Sequence, residues 1–235
     1  YVSDVKKELP KEVGAWAEKA KAQGKIRFFG FSAHKNMENS MLAASKLGWI
    51  DGIMMSYNYR LMVKDEMKRA VEACSNAGIG LIAMKTQASF SANFYASIGA
   101  ETDDGMNMTE NFLKKGYTAE QAKLKVVWEN QHIASICSAM PNMTILMANV
   151  AAALDKTQLS ARDNELLRRY AQETRSTYCA GCTHICESCV DGDAPIGDVM
   201  RYLMYATSYE NEALAMEGFR TIPQKVQTRL SRLDF

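Results

Sequence analysis

"KIRFFGFSAH" (residues 25–34), "IDGIMMSYN" (50–58) and "IGLIAMKT" (79–86) are the three short apolar stretches that decide the fold. Each has the length of a strand, and helix-like segments at 36–48 and 63–78 separate them. Near-continuous apolar strands that alternate with amphipathic helices are typical of βαβ units. The sequence therefore predicts an α/β fold with a parallel sheet covered on both faces.

The pattern continues further along the chain after an interruption. Residues 87–116 are small, polar and rich in Met without a clear period, which favours a functional loop or lid. "TAEQAKLKVVWENQH" (118–132) then predicts a helix with a capping box formed by Thr118 and Gln121. "IASICSAMPNM" (133–143) supplies a fourth strand and its turn, and a helix follows.

After Thr157 the composition changes. A charged amphipathic helix at 159–178 is followed by a cysteine-rich stretch and by further helical segments. We therefore expect two parts, an α/β part over residues 1–157 and a mainly helical, cysteine-bearing appendage over residues 158–235.

Composition excludes several classes of function. The chain of 235 residues can bury a sizeable core. Its 28 Lys+Arg balance 27 Asp+Glu, which does not favour nucleic acid or an anionic membrane as a partner. No stretch approaches the roughly 18 consecutive apolar residues of a membrane span.

The chain's first residues resemble the middle of a longer protein. They contain no initiator Met and no signal peptide, so we expect a fragment whose targeting signal would lie upstream. Reduced thiols favour the cytoplasm, and the alternative is export to the periplasm through such an upstream signal.

Four of the six cysteines lie within "YCAGCTHICESC" (178–189), at Cys179, Cys182, Cys186 and Cys189. In one continuous helix these thiols would spread over about 15 Å, too far to bind one metal centre. In a chain that wraps they resemble the C-x2-C-x2-C-x3-C ligand spacing of an iron–sulfur cluster, with one additional residue. The pattern therefore favours a cluster over a stripe of thiols on a helix.

Other interpretations of the cysteines stay open. Two C-x2-C pairs suit structural zinc, although zinc ribbons usually separate the pairs by about 15–20 residues. A disulfide framework is not needed by a chain with a full-sized core and would not persist in the cytosol. The two remaining cysteines, Cys74 and Cys137, are expected to be buried and inert.

Several phrases together resemble a known family. "GKIRFFGFSAH", "DGIMMSYN", "AGIGLIAMK" and "ASICSAMPNM", with "MANVAAAL" after them, resemble in order the second half of an aldo-keto reductase over residues 11–155. "YCAGCTHICE", followed by "PIGDVMRYLMY", resembles the variant with a ferredoxin-like iron–sulfur segment. The resemblance implies the C-terminal half of a (β/α)8 TIM barrel, with its chemistry at the carboxyl ends of the strands, and hydride transfer between NADPH and a carbonyl compound.

The resemblance also implies residue roles. Contacts to NADP(H) or NAD(H) would fall on six residues: Ser32, Tyr57, Asn58, Lys85, Ser138 and Asn149. The family's Asn and Gln that read the nicotinamide amide are replaced by Ala33 and Met54, and the turn near the adenosine phosphate lacks its usual basic residue. Cys179, Cys182, Cys186 and Cys189 would bind a 4Fe-4S cluster, with zinc as the alternative metal.

No catalytic residue can be assigned within this chain. The family's catalytic Asp, Tyr, Lys and His would lie upstream of Tyr1, so the fragment alone is expected to be inactive. The implied partners are a small carbonyl or alcohol substrate and an electron-transfer partner. The alternatives are a non-catalytic iron–sulfur electron-transfer or binding protein on a barrel scaffold, and a zinc-stapled interaction domain.

Overall fold

A four-stranded parallel sheet forms the centre of the molecule. The computed structural model describes residues 1–88, 103–140, 142–175, 178–189, 194–207, 209 and 211–230. The strands pair in sequence order as β1 (Gly30–Ala33), β2 (Gly52–Ser56), β3 (Gly80–Met84) and β4 (Ile133–Cys137). The predicted α/β class and the parallel sheet are therefore confirmed.

Helices connect and follow the strands. Their bounds in chain order are α1 Val5–Glu8, α2 Lys11–Ala22, α3 Met37–Ala44, α4 Asp65–Asn76, α5 Asp103–Lys114, α6 Ala119–Trp128, α7 Met143–Leu154, α8 Ala161–Glu173, α9 Thr183–Cys186, α10 Ile196–Thr207, α11 Glu212–Arg220 and α12 Gln224–Leu230. The predicted capping box is present at the start of α6, where Thr118 and Gln121 hydrogen-bond each other's backbone.

The two faces of the sheet differ in burial. Ile53, Met55, Leu81 and Ala83 alternate along β2 and β3 and are almost fully buried in the main core. The residues between them point to the opposite face and are only partly buried. The described residues therefore enclose one face fully, whereas the sequence predicted two covered faces.

One prediction about local structure is wrong. The sequence predicted no regular structure over residues 87–116, but helix α5 occupies Asp103–Lys114, while residues 89–102 lie outside the described residues. α5 packs against α6 and α8 and buries Met108 and Phe112 in the core. Such tertiary packing stabilises a helix whose own sequence shows little period.

The appendage shares the core of the α/β part. Leu159, Leu167 and Tyr170, from α8 and the segment before it, belong to the same cluster as the strands' buried side chains. Arg60, in the loop after β2, donates hydrogen bonds to the carbonyl of Ala171 (3.1 Å) and to the hydroxyl of Thr174 (2.6 Å) at the end of α8. None of the helices that the structure describes is long and apolar enough to cross a lipid bilayer.

Candidate functional site at the carboxyl ends of the strands

The carboxyl ends of the four parallel strands meet at one edge of the sheet. His34 follows β1, Asn58 follows β2, Lys85 follows β3 and Ser138 follows β4. Parallel α/β sheets bind ligands at this edge because loops with polar groups converge there. This edge is therefore the candidate site, and the contacts of its residues decide what it can do.

Three polar side chains form a closed network at the β3 and β4 end. Asn149 in α7 donates from Nδ2 to Ser138 Oγ (3.1 Å), and Ser138 donates to Gln87 Oε1 (3.4 Å). Gln87 donates from Nε2 back to Asn149 Oδ1 (3.3 Å). The structure thus brings together the predicted residues Ser138 and Asn149 and adds Gln87, which the sequence could have indicated because it lies two residues beyond Lys85.

Asn58 is a buried hydrogen-bonding centre. Its Oδ1 accepts from the backbone N–H of Arg60 (3.0 Å) and of Leu61 (3.3 Å), and its Nδ2 donates to the carbonyl of Lys85 (3.1 Å) and to the hydroxyl of Tyr178 (2.9 Å). The side chain is fully buried. Asn58 therefore fixes the loop after β2 and joins it to β3 and to the appendage.

Tyr57 is separated from the other predicted contacts. Its ring belongs to the main core, and its hydroxyl accepts a hydrogen bond from Asn130 Nδ2 (2.6 Å). Asn130 lies in the segment that precedes β4. Burial raises the pKa of Tyr57. The structure therefore places this phenol in the packing of the fold and away from the strand ends.

Lys85 is held by the appendage. Its Nζ donates to the hydroxyl of Tyr205 in α10 (2.8 Å) and lies 5.0 Å from the centroid of that ring. Burial lowers the pKa of Lys85. Burial alone would raise the pKa of Tyr205, but the charges and hydrogen bonds of Lys85 and Arg201 bring it below its ordinary value.

His34 lies between β1, β2 and α10. Its Nδ1 is 3.1 Å from Ser56 Oγ, and its carbonyl accepts a hydrogen bond from Arg201 Nη2 (2.6 Å). Burial, together with the charges of Lys85 and Arg201, lowers the pKa of His34 to about 4. The imidazole is therefore neutral at pH 7.

Ser32 lies on the less buried face of the sheet. It pairs in register with Met54 of β2, so the two side chains are neighbours on this face. Ser32 is partly buried, and within the described part of the chain its hydroxyl has no hydrogen-bond partner. A serine hydroxyl beside a thioether can offer one polar contact to a ligand on this face.

Segment 178–181 and helix α10 cross the ends of β1, β2 and β3. Tyr178, Arg201 and Tyr205 hydrogen-bond residues at these strand ends, as described above. In addition, the carbonyl of Gly181 accepts a hydrogen bond from the backbone N–H of Asn36 (2.9 Å). Sequence reasoning did not identify Tyr178, Arg201 or Tyr205 as site residues. The available signal was an Arg in the middle of the apolar stretch "VMRYLMY".

The cysteine segment does not form one continuous helix. Cys179 and Cys182 precede α9, which ends at Cys186, and a 3-10 turn covers Glu187–Cys189. Cys179 Sγ lies 3.7 Å from the carbonyl of Gly197, at the start of α10.

The described thiols do not fit a closed metal site. No group of three or more His, Cys, Asp or Glu side chains could bind a metal ion among the residues that the structure describes, and the Cys189 side chain lies outside them. Cys74, Cys137, Cys179 and Cys182 form no disulfide with another described residue. Cys74 is buried, as expected, but Cys137 is exposed because β4 is an edge strand, so that expectation is wrong.

Comparison with solved structures finds aldo-keto reductases. The apo form of aldo-keto reductase AKR11C1 from Bacillus halodurans is 18% identical with a TM-score of 0.52, over 68% of this chain and 56% of that chain. An aldo/keto reductase from Klebsiella pneumoniae in complex with NADP and acetate is 22% identical with a TM-score of 0.50, over 67% of this chain and 53% of that chain.

This likeness establishes the fold. The chain spans about half the length of the solved structures that it matches. No family model matches the chain, and no curated protein matches it. The α/β fold with its parallel sheet is thus shared with aldo-keto reductases.

Proposed function

We propose that this chain is the C-terminal half of a (β/α)8 barrel in an NAD(P)H-dependent oxidoreductase of the aldo-keto reductase type. The full protein would transfer a hydride from the nicotinamide to a small carbonyl compound, which takes up a proton and becomes an alcohol, or would run the reverse reaction. The observation that carries the proposal is the network of Gln87, Ser138 and Asn149 at the ends of β3 and β4. The matched Klebsiella pneumoniae reductase was crystallised with NADP, which supports a dinucleotide at this edge.

The network fits the adenosine end of such a cofactor by its chemistry. Two amides and one hydroxyl provide both donors and acceptors, which suits a ribose or an adenine better than a dianion. None of the three side chains is basic, so we propose that the site accepts NAD(H) as well as NADP(H). Ser32 would contact the nicotinamide amide.

The other predicted contacts act less directly. Asn58 would position Lys85 through its hydrogen bond to the Lys85 carbonyl, and Tyr57 would support the loop from within the core. Lys85 would face the negative part of the ligand, because its side chain is the cation at the end of β3. The catalytic proton donor would come from residues upstream of Tyr1, as the family resemblance implies.

Titration of the purified full protein with NADPH and with NADH, followed by cofactor fluorescence, tests this function. Ser138→Ala and Asn149→Ala should each weaken binding by about tenfold, since each removes hydrogen bonds from the network. Ser45→Ala, which removes a hydroxyl that donates to the nearby carbonyl of Leu42, is the matched control. Absence of binding at millimolar cofactor, or unchanged binding in both variants, would count against the proposal.

A metal bound by Cys179, Cys182, Cys186 and Cys189 is a separate hypothesis. The cysteine spacing supports a 4Fe-4S cluster, but the described thiols do not converge, so no step of the proposed reaction runs through a cluster. Iron, acid-labile sulfide and zinc should be assayed after purification without oxygen, with Cys182→Ser as the variant. If the assay finds one zinc per chain and no sulfide, the cluster hypothesis is wrong and a zinc-stapled interaction domain takes its place.

A second candidate function is a non-catalytic electron-transfer or binding protein on a barrel scaffold. Tyr178 and Tyr205 of the appendage already satisfy Asn58 and Lys85 at the strand ends, which leaves these groups less available to a cofactor. Met54 and Ala33, in place of amide-reading residues, favour the same interpretation. Failure of the NADPH titration in a folded protein would select this candidate.

A further inference from the structure

We propose that Lys85 and Arg201, with the hydroxyl of Tyr205, bind one anionic group, a carboxylate or a phosphate, of a small ligand. The site joins β3 of the α/β part to α10 of the appendage, and two of its three residues come from the appendage. The proposal deepens the proposed function, in which Lys85 faces the negative part of the ligand, but it is tested with phosphate and acetate alone, so it can fail while cofactor binding holds.

The two cations lack the carboxylate partners that three other buried or partly buried lysines have. Among the described residues, Lys21 pairs with Asp51 (2.7 Å), Lys123 with Glu120 (2.6 Å) and Lys125 with Asp155 (2.8 Å). No carboxylate in the same part of the chain lies within ion-pair distance of Lys85 or Arg201, and the nearby Asp198 is engaged by Lys35. A buried cation without a counter-charge is costly, so an anion from outside the chain would stabilise the pair.

Arg60 shows how the fold treats a cation that needs no ligand. It too lacks a carboxylate, but it donates to the carbonyls of Ala171 and Thr174 and to the Thr174 hydroxyl. Its guanidinium also lies 5.0–5.6 Å from the ring centroids of Tyr59, Tyr170 and Tyr178. Within the described structure Lys85 bonds the Tyr205 hydroxyl, and Arg201 bonds that hydroxyl and the His34 carbonyl, so each has fewer acceptors than Arg60.

Donor groups remain unused at the site. Arg201 is only 7% exposed, its Nη2 donates to the carbonyl of His34, and its Nε–H, like that of Arg60, has no hydrogen-bond partner among the described residues. Lys85 has three N–H donors, of which the bond to Tyr205 uses one. An oxyanion accepts several such bonds at once, whereas a neutral ligand would leave both charges uncompensated.

The backbone and the neighbouring groups support an anion here. Lys85 adopts φ 55°, a left-handed conformation that a non-glycine residue adopts at an energetic cost and that is common where a fold positions a functional group. The groups around the pair are His34, which stays neutral because its pKa is about 4, the thiol segment at Cys179 and the hydroxyl of Tyr205. None of these is a carboxylate: neutral His34 does not repel an anion, and Cys179 and Tyr205 do not while they are protonated.

Titration calorimetry and thermal unfolding of the full protein test the proposal with inorganic phosphate and with acetate, against chloride at matched ionic strength. We expect phosphate or acetate to bind and to raise the Tm more than chloride does. Arg201→Met and Lys85→Met should each weaken that binding by about tenfold or more, and Tyr205→Phe by less. The Tyr205→Phe variant keeps the ring and both cations, so it can test the proposal even if either Met variant fails to fold.

Lys125→Met is the matched control, because it removes a buried lysine that has its own carboxylate partner. It should lower stability and leave anion binding unchanged. Competition then separates the sources of the anion: NADP displaces phosphate if the group belongs to the dinucleotide, and both bind together if it belongs to a substrate. Wild-type protein that responds to phosphate and acetate no more than to chloride, or variants that bind as wild type does, would overturn the proposal.

Discussion

Asn58 combines four hydrogen bonds in one buried side chain, and its loss should be costly. Asn58→Ala leaves the Arg60 and Leu61 amides and the Tyr178 hydroxyl without their partner. We expect the free energy of unfolding to fall by about 2–3 kcal/mol, since buried groups left unsatisfied cost about 1–3 kcal/mol each and relax in part. Urea unfolding measures this loss.

The control for Asn58 is Asn39→Ala, whose exposed amide reaches only the Asn36 side chain (2.7 Å). It should change stability by about 0.5 kcal/mol or less. A loss in Asn58→Ala as small as this would mean that the four bonds do not form, and that Asn58 is free to contact a ligand.

Gly181 lies where the appendage meets the strand ends, and there is no room for a methyl group at this position. A Cβ would lie 2.5 Å from both Arg201 Nη2 and the His34 carbonyl, and the residue has φ 77°. Gly181→Ala therefore combines a left-handed backbone penalty with loss of the Arg201 to His34 hydrogen bond. Thermal or urea unfolding should show a destabilisation of about 3 kcal/mol or more.

Gly48→Ala separates the two causes, because Gly48 has a similar φ of 74° but nothing within 4 Å of its Cβ. It should cost only the backbone term of about 1–2 kcal/mol. Equal losses in the two variants would show that Arg201 does not pack against Gly181.

The sequence placed candidate site residues at strand ends, but it could not give the direction of every side chain. Ser138 follows β4, and in the structure it hydrogen-bonds Asn149. Tyr57 also follows a strand, but the chain turns at Asn58 and the ring enters the core. Side chains alternate between the two faces only within a strand, and β2 ends at Ser56, so this rule could not predict the direction of the Tyr57 side chain.

At the scale of elements, α8 begins with a capping box that contains a buried carboxylate. Asp163 accepts from the Ser160 backbone (2.7 Å), from Lys115 Nζ (2.6 Å) and from Asn111 (2.8 Å). Burial alone would raise the pKa of Asp163, but these hydrogen bonds lower it to about 2. Asp163→Asn should therefore destabilise the protein at pH 7 by about 1–3 kcal/mol.

The pH dependence of unfolding checks the sign of this effect. The folded-state pKa lies below the ordinary value of 3.8, so the stabilisation is fully present above about pH 5 and is lost as the pH falls toward 2. Asp163→Asn should flatten the fall in urea midpoint over this window. Glu165→Gln on the same helix is the control, because its ion pairs with Arg168 and Arg169 are exposed and screened by solvent, so it should change the fall much less.

Elements with their own local signals were predictable, and α5 was not. β1 to β4 are apolar runs bounded by Gly or polar residues, α4 has an amphipathic period, and α6 has its capping box. α5 is held instead by distant partners, since Asn111 bonds Asp163 across 52 positions and Phe112 is buried in the core. Contacts of that range leave no period in the local sequence.

At the scale of the whole molecule, even longer-range contacts escape prediction from local sequence patterns. The hydrogen bond between Arg201 and His34 joins residues 167 positions apart, and those of Tyr178 and Tyr205 join residues 120 positions apart. The change of composition after Thr157 predicted a stretch of helices and cysteines, and in the structure helices α8 to α12 follow that position. No periodicity could show that this stretch folds back over the strand ends.

This arrangement predicts that the two parts unfold together. Leu167 and Tyr170 of α8 share a core with the strands, so a substitution that disrupts the appendage should also destabilise the α/β part. All three Trp residues lie before residue 158, so their fluorescence reports the α/β part, whereas far-UV circular dichroism reports helices of both parts. The two signals should give coincident urea transitions.

Leu167→Ala makes the test specific. Leu167 is 2% exposed, so its truncation should cost about 2–5 kcal/mol and should shift the Trp fluorescence midpoint as far as the dichroism midpoint, although the change lies in the appendage. Leu203→Ala, at a residue of α10 that is 51% exposed, should shift neither by more than about 0.5 kcal/mol. A Leu167→Ala variant with an unchanged fluorescence midpoint would instead show that a boundary near residue 157 divides the molecule into two independently folding domains.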